Sequence, residues 1–311
     1  MGKATREAYG IALAAMGAKH PDIVVLDADL SKSTKTDVFK SAYPDRFFNV
    51  GIAEQNLIGV GAGLAAAGKK PFVSSFAMFA AGRGFEQIRN AVCYPKLNVK
   101  ICATHAGLTV GEDGASHQCN EDISLMRTLP NMRVVVPADA RETEAVIAWA
   151  AEYQGPAYIR LGRAGVDDTT PEGYLFVPGK SQLLRDGKDA TIIACGALVG
   201  PAVKAAEMLA AEGIDVRVVN MASIKPLDEE AVVSAAKETG FIVTAEEHNI
   251  IGGLGAAVAE TVTSTHPVRV ERIGVRDTFG ESGTPGELIK KYGLTADDIA
   301  AAVKRIKDAD K

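Results

Sequence analysis

Residues 48–56 read Phe-Asn-Val-Gly-Ile-Ala-Glu-Gln-Asn, a short strand that leads into a long helix of small apolar residues. The helix pattern continues through residues 57–67, which are all Leu, Ile, Val, Gly or Ala. Glu54 is therefore expected at the N-terminal mouth of a core helix. A poorly solvated carboxylate there is a candidate for proton transfer. The alternative is a structural first-turn Glu that complements the helix dipole.

Length and composition exclude several classes of protein. The chain has 311 residues, of which 47% are hydrophobic and 23% are charged, and these values predict a globular protein with two domains. A formal net charge of −5 argues against general binding to nucleic acids or membranes. The first residues contain no hydrophobic signal region, so a cytoplasmic protein is expected.

The cysteines and histidines predict no disulfide and no metal site in this chain. The cysteines fall in no Cys-x-x-Cys pair and no zinc-ligand spacing, so we expect free thiols at Cys93, Cys102, Cys119 and Cys195. The five histidines form no His-Glu-x-x-His motif.

Short apolar strands alternate with helices through the first half of the chain. A helix over residues 5–18 is followed by strands over residues 23–26, 46–50, 71–75, 99–103 and 132–136. This alternation predicts an α/β fold with a central parallel sheet, in which ligands bind at the carboxyl ends of the strands. The polar or aromatic residues expected at that edge are Asp29, Glu54, Phe76 and His105.

A segment rich in Gly, Pro, Asp and Thr separates the two halves. We predict a first domain over residues 1–165, a linker over 166–180 and a smaller α/β domain over 181–311. In the second domain, strands over 181–185 and 190–195 flank Asp186-Gly187 and predict a hairpin. Three strand–helix units follow, with strands over 216–219, 241–244 and 268–272.

Three glycine-rich stretches partly match phosphate-binding motifs. Gly59, Gly61 and Gly63 lie inside a helix pattern, so we expect close helix packing rather than dinucleotide binding. Residues 63–70 end in Lys70 where a P-loop needs Ser or Thr, which excludes a P-loop. Residues 252–255 read Gly-Gly-Leu-Gly and fit a tight turn into a helix, with an anion-binding helix start as the alternative.

Three motifs in the first half resemble those of the transketolase family. Residues 51–55 read GIAEQ, residues 75–82 read SFAMFAAG, and Thr104-His105 is followed by GEDGASHQ at residues 111–118. The resemblance covers nearly the whole chain, but only the later part of a full-length transketolase. It implies a pyrimidine-binding domain for thiamine diphosphate followed by a smaller α/β transketolase C-terminal domain, as in the C-terminal subunit of a split transketolase.

The resemblance also implies a partner. The chain has no Gly-Asp-Gly motif with a following metal-binding Asn, which in the family belongs to the preceding domain. An N-terminal transketolase subunit is therefore expected to hold the diphosphate of thiamine diphosphate and its Mg²⁺ or Ca²⁺. The assembly that this implies is α2β2.

On the cofactor side, the resemblance implies roles for four residues. Glu54 corresponds to the acid that hydrogen-bonds the aminopyrimidine ring of the cofactor and activates it. Phe76 and Phe79 correspond to the aromatic wall on which that ring stacks. Asp29 corresponds to an acid at the subunit interface near the cofactor.

On the sugar side, Asp113 corresponds to the residue that hydrogen-bonds the C2 hydroxyl of the substrate. His105 and His117 correspond to residues that contact the hydroxyls and phosphate end of the donor. A guanidinium group matches the geometry of phosphate, and the phosphate-binding set of the family corresponds to Arg6, Ser33 and Arg163. Two departures leave substrate preference open, since Cys119 replaces a Pro of the family and Gly82 replaces an aromatic residue of some members.

The activity implied is transfer of a two-carbon ketol unit from a ketose phosphate, such as xylulose 5-phosphate, to an aldose phosphate. The later part of a 1-deoxyxylulose 5-phosphate synthase is an alternative, disfavoured by His105 and Glu112. The beta subunit of a 2-oxo acid dehydrogenase is a second, disfavoured by the phosphate-binding set. A non-catalytic assembly subunit is a third, disfavoured because it would not need Glu54, Asp113 and His117 together.

Overall fold

The computed structural model describes the backbone of residues 2–309 and the side chains of residues 2–307. The described chain forms two α/β units, each around its own sheet, and the predicted fold class is confirmed. Residues 166–181 contain no helix or strand. Met1 of the predicted first domain and residues 310–311 of the second lie outside the described residues.

The strands are numbered in chain order. Those of the first half are β1 Ile23–Asp27, β2 Phe47–Asn49, β3 Lys70–Phe76, β4 Lys100–Thr104, β5 Arg133–Val135 and β6 Ala157–Arg160. Those of the second half are β7 Gln182–Arg185, β8 Ala190–Ala194, β9 Val216–Asn220, β10 Ser223–Lys225, β11 Phe241–Asn249 and β12 Arg269–Val275.

The helices are numbered in the same way. Those of the first half are α1 Thr5–Lys19, α2 Ser31–Thr34, α3 Asp37–Ala42, α4 Glu54–Ala66, α5 Phe85–Gln87, α6 Asp122–Thr128 and α7 Ala140–Glu152. Those of the second half are α8 Val199–Ala211, α9 Glu229–Thr239, α10 Leu254–Ser264, α11 Pro285–Lys291 and α12 Ala296–Ala309. Two π-helical segments, Met78–Arg83 and Ile88–Cys93, flank α5.

The first sheet has the strand order β10-β5-β6-β4-β3-β1-β2, and only β10 runs antiparallel to its neighbour. Its strands are apolar on both faces because helices cover both. Ile23 and Val25 of β1 pack with residues of α1 and α7, while Val24 and Leu26 pack on the other side with Leu57 of α4 and its neighbours. The carboxyl ends of β1, β3 and β4 consequently reach one edge of the sheet together.

The second sheet has the order β12-β11-β8-β9-β7, so the predicted hairpin is wrong. Strand β7 pairs antiparallel with β9, and β9 separates it from β8. The reason is burial: β8 is fully buried and needs parallel neighbours on both sides, whereas β7 is only partly buried and suits a sheet edge. Gly187 crosses close to β9, since a Cβ there would lie 2.4 Å from the carbonyl carbon of Val216.

The two units are not independent in their packing. Strand β10 follows β9 of the second sheet along the chain but pairs with β5 at the edge of the first sheet. One continuous apolar cluster also includes Val134 and Met126 from the first half and Ile193, Ile224 and Leu254 from the second. Part of the hydrophobic core is therefore shared between the two units.

The start of α10 settles the alternative readings of residues 252–255. The carboxylate of Glu246 accepts hydrogen bonds from the backbone N–H groups of Leu254 at 2.7 Å and Gly255 at 2.8 Å. These free N–H groups are the usual anion site of a helix start. Because the chain fills the site with its own carboxylate, the stretch is a turn into a helix.

The glycines of α4 differ in what surrounds them. A Cβ on Gly61 would lie 2.8 Å from Cγ1 of Val73 in β3, whereas Gly59 and Gly63 have nothing within 4 Å. Close packing of the helix on the sheet therefore depends on Gly61. The other two glycines lie on the open face of the helix.

We expect Gly61→Ala to lower the free energy of unfolding relative to Gly59→Ala. Both changes gain about 1 kcal/mol of helix propensity, so the difference between the two variants isolates the contact with Val73. Overpacking costs about 1–3 kcal/mol, and urea unfolding of the two variants measures it. Equal unfolding free energies would show that Gly61 is not needed for the packing of α4 on the sheet.

Candidate active site

Glu54 is the first residue of α4 and its side chain is only 4% exposed. The carboxylate faces one cation, since Nη1 of Arg83 lies 3.2 Å from Oε1 and 3.3 Å from Oε2. Arg83 is 55% exposed and belongs to the π-helical segment after β3. Sequence reasoning missed Arg83; its position four residues after Phe79, one helical turn along the same face, was the available signal.

Phe76 and Phe79 form the aromatic part of the site. Phe76 ends β3 and is buried, and Phe79 follows in the π-helical segment. Their rings are nearly parallel, with centroids 5.9 Å apart. The guanidinium carbon of Arg83 lies 4.4 Å from the centroid of the Phe79 ring, so Arg83 links this aromatic pair to Glu54.

His105 follows directly after β4 and is 3% exposed. Its ring stacks on Phe76 with centroids 3.8 Å apart. Nε2 lies 3.4 Å from Nη1 of Arg6, and Nδ1 lies 2.9 Å from the hydroxyl of Thr104. Because a guanidinium only donates hydrogen bonds, Nε2 is the acceptor and the proton resides on Nδ1.

The charge state of His105 follows from its surroundings. Burial lowers its pKa to about 3, and the positive charges of Arg6 and Arg163 add to this effect. The imidazole is therefore neutral near pH 7 and keeps one ring nitrogen as a hydrogen-bond acceptor.

Arg6 connects His105 to the neighbouring helix α2. Its Nη1 donates to the backbone carbonyl of Ser33 at 2.8 Å, so the contact with Ser33 is through the backbone. The Nε atom of Arg6 is buried and has no hydrogen-bond partner among the described residues. Burial lowers the pKa of Arg6 from its ordinary value, and nearby Arg163 contributes in the same direction. An unpaired buried donor of this kind is costly unless an acceptor, such as an anionic ligand, satisfies it.

His117 and Asp113 lie on the loop after His105. His117 meets the ring of Phe79 edge-on, with centroids 5.3 Å apart. Asp113 is exposed and its carboxylate lies 3.8 Å from Nη1 of Arg163. Arg163 also donates to Glu112 at 3.2 Å and to the carbonyl of Val110. The loop thus brings two polar side chains to the aromatic pair and to a guanidinium.

Asp29 contacts a different part of the chain. It is exposed, has a left-handed backbone with φ of 66°, and accepts a hydrogen bond from Nδ2 of Asn49 at 2.7 Å. Oδ1 of Asn49 in turn accepts from the N–H of Gly51 at 3.0 Å. Asp29 therefore connects to the segment that leads into α4 rather than to Glu54 itself.

The residues fit the pyrimidine part of thiamine diphosphate. The guanidinium of Arg83 is a planar nitrogen donor held between a buried carboxylate and the face of Phe79. An aminopyrimidine is also planar, carries N–H donors and stacks on aromatic rings. A planar ring in the place of this guanidinium would have the Glu54 carboxyl group at its edge and the Phe79 ring at its face. The described residues contain no cluster of three or more His, Cys, Asp or Glu that could hold a metal ion.

The two departures from the family pattern lie in different surroundings. Cys119 is fully buried, and its carbonyl accepts hydrogen bonds from the N–H of Gly107 at 2.9 Å and from Arg160 at 3.2 Å. Gly82 is exposed, and a Cβ there would lie 2.7 Å from Cε of Met78. The first departure concerns the loop of His117 and the second the aromatic segment.

No helix in the described part of the chain is long and apolar enough to cross a membrane.

Comparison with known proteins identifies the family. Residues 1–167 match the pyrimidine-binding domain of transketolase, and residues 179–299 match the transketolase C-terminal domain. A protein of Methanocaldococcus jannaschii named "Putative transketolase C-terminal section" is 52% identical over 97% of this chain and 95% of its own length. A 6-deoxy-6-sulfo-D-fructose transketolase subunit from a Clostridium species is 43% identical over 97% of this chain and 94% of its own.

A solved structure agrees with the sequence comparisons. It is described as a split gene transketolase, inactive beta4 tetramer, and has 60% sequence identity and a TM-score of 0.92 over 98% of each chain. Both matched domain models, the relatives and this structure share the later part of a transketolase. The chain therefore belongs to the transketolase family, with the domain content of the C-terminal section of a split transketolase.

Proposed function

We propose that this chain supplies half of each active site of a thiamine diphosphate-dependent transketolase. It would act with an N-terminal partner subunit that holds the diphosphate and Mg²⁺, in an α2β2 assembly. The observation that carries the proposal is the contact between Glu54, Arg83 and Phe79 beside His105 and His117, at one edge of a parallel sheet. Family membership supports ketol transfer as the reaction.

On the cofactor side, we assign activation to Glu54 and stacking to Phe76 and Phe79. When bound, thiamine diphosphate supplies a nucleophilic carbon that breaks and forms the carbon–carbon bond beside a carbonyl. Glu54 holds a proton against a ring nitrogen of the pyrimidine, and its burial strengthens that hydrogen bond by excluding water. Arg83 must give up its contact with Glu54 for this to happen. Asp29 is assigned to the subunit interface.

On the sugar side, the proton on Nδ1 of His105 leaves Nε2 as an acceptor, which would bind a sugar hydroxyl in place of its 3.4 Å contact with Arg6. The low pKa of His105 keeps this acceptor available at neutral pH. His117 and Asp113 provide further polar contacts from the loop, with Asp113 assigned to the hydroxyl at C2 of the substrate. These groups orient the sugar rather than replace the chemistry of the cofactor.

The anionic end of the sugar is assigned to Arg6, Ser33 and Arg163. The guanidinium groups of Arg6 and Arg163 both lie close enough to His105 to lower its pKa. Together they form a positive region suited to an oxyanion. The unpaired Nε of Arg6 supplies a free donor in that region. We propose a phosphate such as that of xylulose 5-phosphate, and a sulfonated sugar is a direct competitor to test because one relative is named for it.

Reconstitution tests the proposal. We expect no turnover from the isolated chain, and ketol transfer from xylulose 5-phosphate once the N-terminal partner, thiamine diphosphate and Mg²⁺ are added. Pyruvate is the competing donor, and mass measurement of the complex tests the α2β2 assembly. Turnover by the isolated chain would reject the divided site. Use of pyruvate without ketol transfer would reject the transketolase assignment.

In the reconstituted enzyme, we expect Glu54→Gln to slow exchange of the cofactor C2 proton with solvent by roughly 10²-fold or more, as is usual when a positioned acid–base group is removed. NMR of the bound cofactor measures the exchange. Glu86→Gln is the matched control, because Glu86 is exposed and its hydrogen bonds within the described part of the chain go to its neighbours Gln87 and Asn90. Unchanged exchange in Glu54→Gln would remove Glu54 from the proposed role.

We expect Asp113→Ala to distinguish two acceptors that differ in one hydroxyl. A hydrogen bond to a charged group contributes about 1.5–3 kcal/mol, so kcat/KM should fall roughly 10- to 100-fold with ribose 5-phosphate and much less with 2-deoxyribose 5-phosphate. Steady-state kinetics with the reconstituted enzyme measures both. Equal losses with the two acceptors would mean that Asp113 does not bind the C2 hydroxyl.

A further inference from the structure

The loop over residues 105–118, here called the histidine loop, carries His105, Asp113 and His117. It belongs to the first α/β unit but is fastened to the second. One contact comes from Glu247 in β11. Its Oε1 accepts a hydrogen bond from the backbone N–H of Thr109 at 2.6 Å, and its Oε2 lies 3.3 Å from the hydroxyl of Thr109.

Glu247 also packs closely against the backbone of the histidine loop. Gly107 has φ of 80°, and a Cβ there would lie 2.5 Å from the Glu247 carboxyl carbon. The backbone at Gly107 therefore lies so close to the Glu247 carboxylate that any side chain there would clash with it. Glu247 is itself 3% exposed, so water does not compete for the contact.

Arg160 partly offsets the burial of the Glu247 carboxylate, although burial still raises the pKa of that carboxyl group. Nη2 of Arg160 donates to the backbone carbonyl of Glu247 at 2.9 Å and to that of Cys119 at 3.2 Å. Nε of Arg160 bonds both carboxylate oxygens of Asp122, at 3.1 and 2.9 Å. A buried carboxylate needs a nearby cation. Here the cation is Arg160, which lies between the second unit and Cys119, the residue after the histidine loop.

A second attachment holds the other end of the loop. Nε2 of Gln118 donates to the carbonyl of Glu281, in the second unit, at 2.9 Å. It also lies 3.2 Å from the carbonyl of Leu108 and 3.3 Å from that of Gly111, both within the loop. A Cβ on Gly114 would lie 2.6 Å from Oγ of Ser282. The second unit thus contacts the histidine loop at Thr109 and again at residues 114–118.

We propose that Glu247 is a positioning residue: by holding the N–H of Thr109 it fixes the histidine loop, and with it the side chains that bind the sugar. The C-terminal unit is then part of the scaffold of the active site and not only an assembly domain. The catalytic consequence rests on the proposed function, whereas the structural consequence, a loop held by Glu247, does not.

Two conservative variants distinguish the effect of the position of the Glu247 carboxylate from the effect of its charge. Glu247→Gln keeps an acceptor oxygen at the same distance but loses the charge. Glu247→Asp keeps the charge but withdraws the carboxylate by about one carbon–carbon bond, roughly 1.5 Å. If Glu247 positions the loop, Glu247→Gln should keep the loop in place and Glu247→Asp should not. Glu247→Ala should behave like Glu247→Asp. An electrostatic role predicts the reverse order for Gln and Asp.

The neighbouring Glu246 offers a matched control. It is equally buried and also accepts backbone hydrogen bonds, but those bonds lie within its own unit, at the start of α10. Glu246→Ala should destabilise the second unit without freeing the histidine loop. Any effect common to Glu246→Ala and Glu247→Ala reports stability alone.

The first measurement is amide hydrogen exchange in the isolated chain, which needs neither partner nor cofactor. We expect Glu247→Asp to speed exchange of the loop amides on the order of 10- to 100-fold, the effect of losing one buried hydrogen bond, with Glu247→Gln close to wild type. Unchanged exchange in Glu247→Asp, or the same increase in Glu246→Ala, would overturn the proposal. If Glu247→Ala does not fold, the Asp and Gln variants decide.

The second measurement uses the reconstituted complex. We expect Glu247→Asp to raise KM for the sugar substrates by a similar factor while leaving the affinity for thiamine diphosphate unchanged, and Glu247→Gln to restore KM. Loss of cofactor affinity instead would contradict a role in the histidine loop. A wild-type complex without ketol transfer would refute the proposed function alone, because the exchange results stand independently.

Discussion

The buried ion pair between Arg160 and Asp122 is the interaction on which the arrangement depends. Arg160 ends β6, Asp122 begins α6, and the hydroxyl of Tyr158 donates to the same carboxylate at 2.7 Å. Burial opposes the charge of Arg160, but Asp122 and Glu247 more than offset it and raise the pKa of the guanidinium. Removing one partner from such a pair costs about 3–5 kcal/mol. Loss of Arg160 would also free the carbonyls of Cys119, which follows the histidine loop, and of Glu247 in β11.

Much of the fold and part of the site could be predicted from the sequence. Apolar strands alternating with helices predict a parallel sheet, and a parallel sheet gathers its strand ends, which is why Glu54, Phe76 and His105 could be grouped without coordinates. The family motifs added the roles of Asp113 and His117, and these roles stay predictions. Such reasoning works where the signal is local periodicity or a short motif.

Other features could not be predicted because they depend on contacts between distant segments. The hairpin expectation for residues 181–195 was wrong because burial across the whole sheet, not the Asp186-Gly187 turn, decides which strand lies at the centre. The spacing of Arg83 from Phe79 could have suggested contact with that ring, but its contact with Glu54 joins residues 29 positions apart and needs the structure. Glu247 is 138 residues from Thr109 along the chain.

The pairing of β10 with β5 at the edge of the first sheet opposes separation of the two units. An open strand edge exposes unpaired backbone groups and invites pairing with other chains, and β10 closes that edge of the first sheet with residues from the second half. Cutting the chain within residues 166–181 would leave β5 as an uncovered edge and would open an apolar cluster shared by both halves. The two halves thus share part of one hydrophobic core and one sheet edge, despite the sequence signature of two domains.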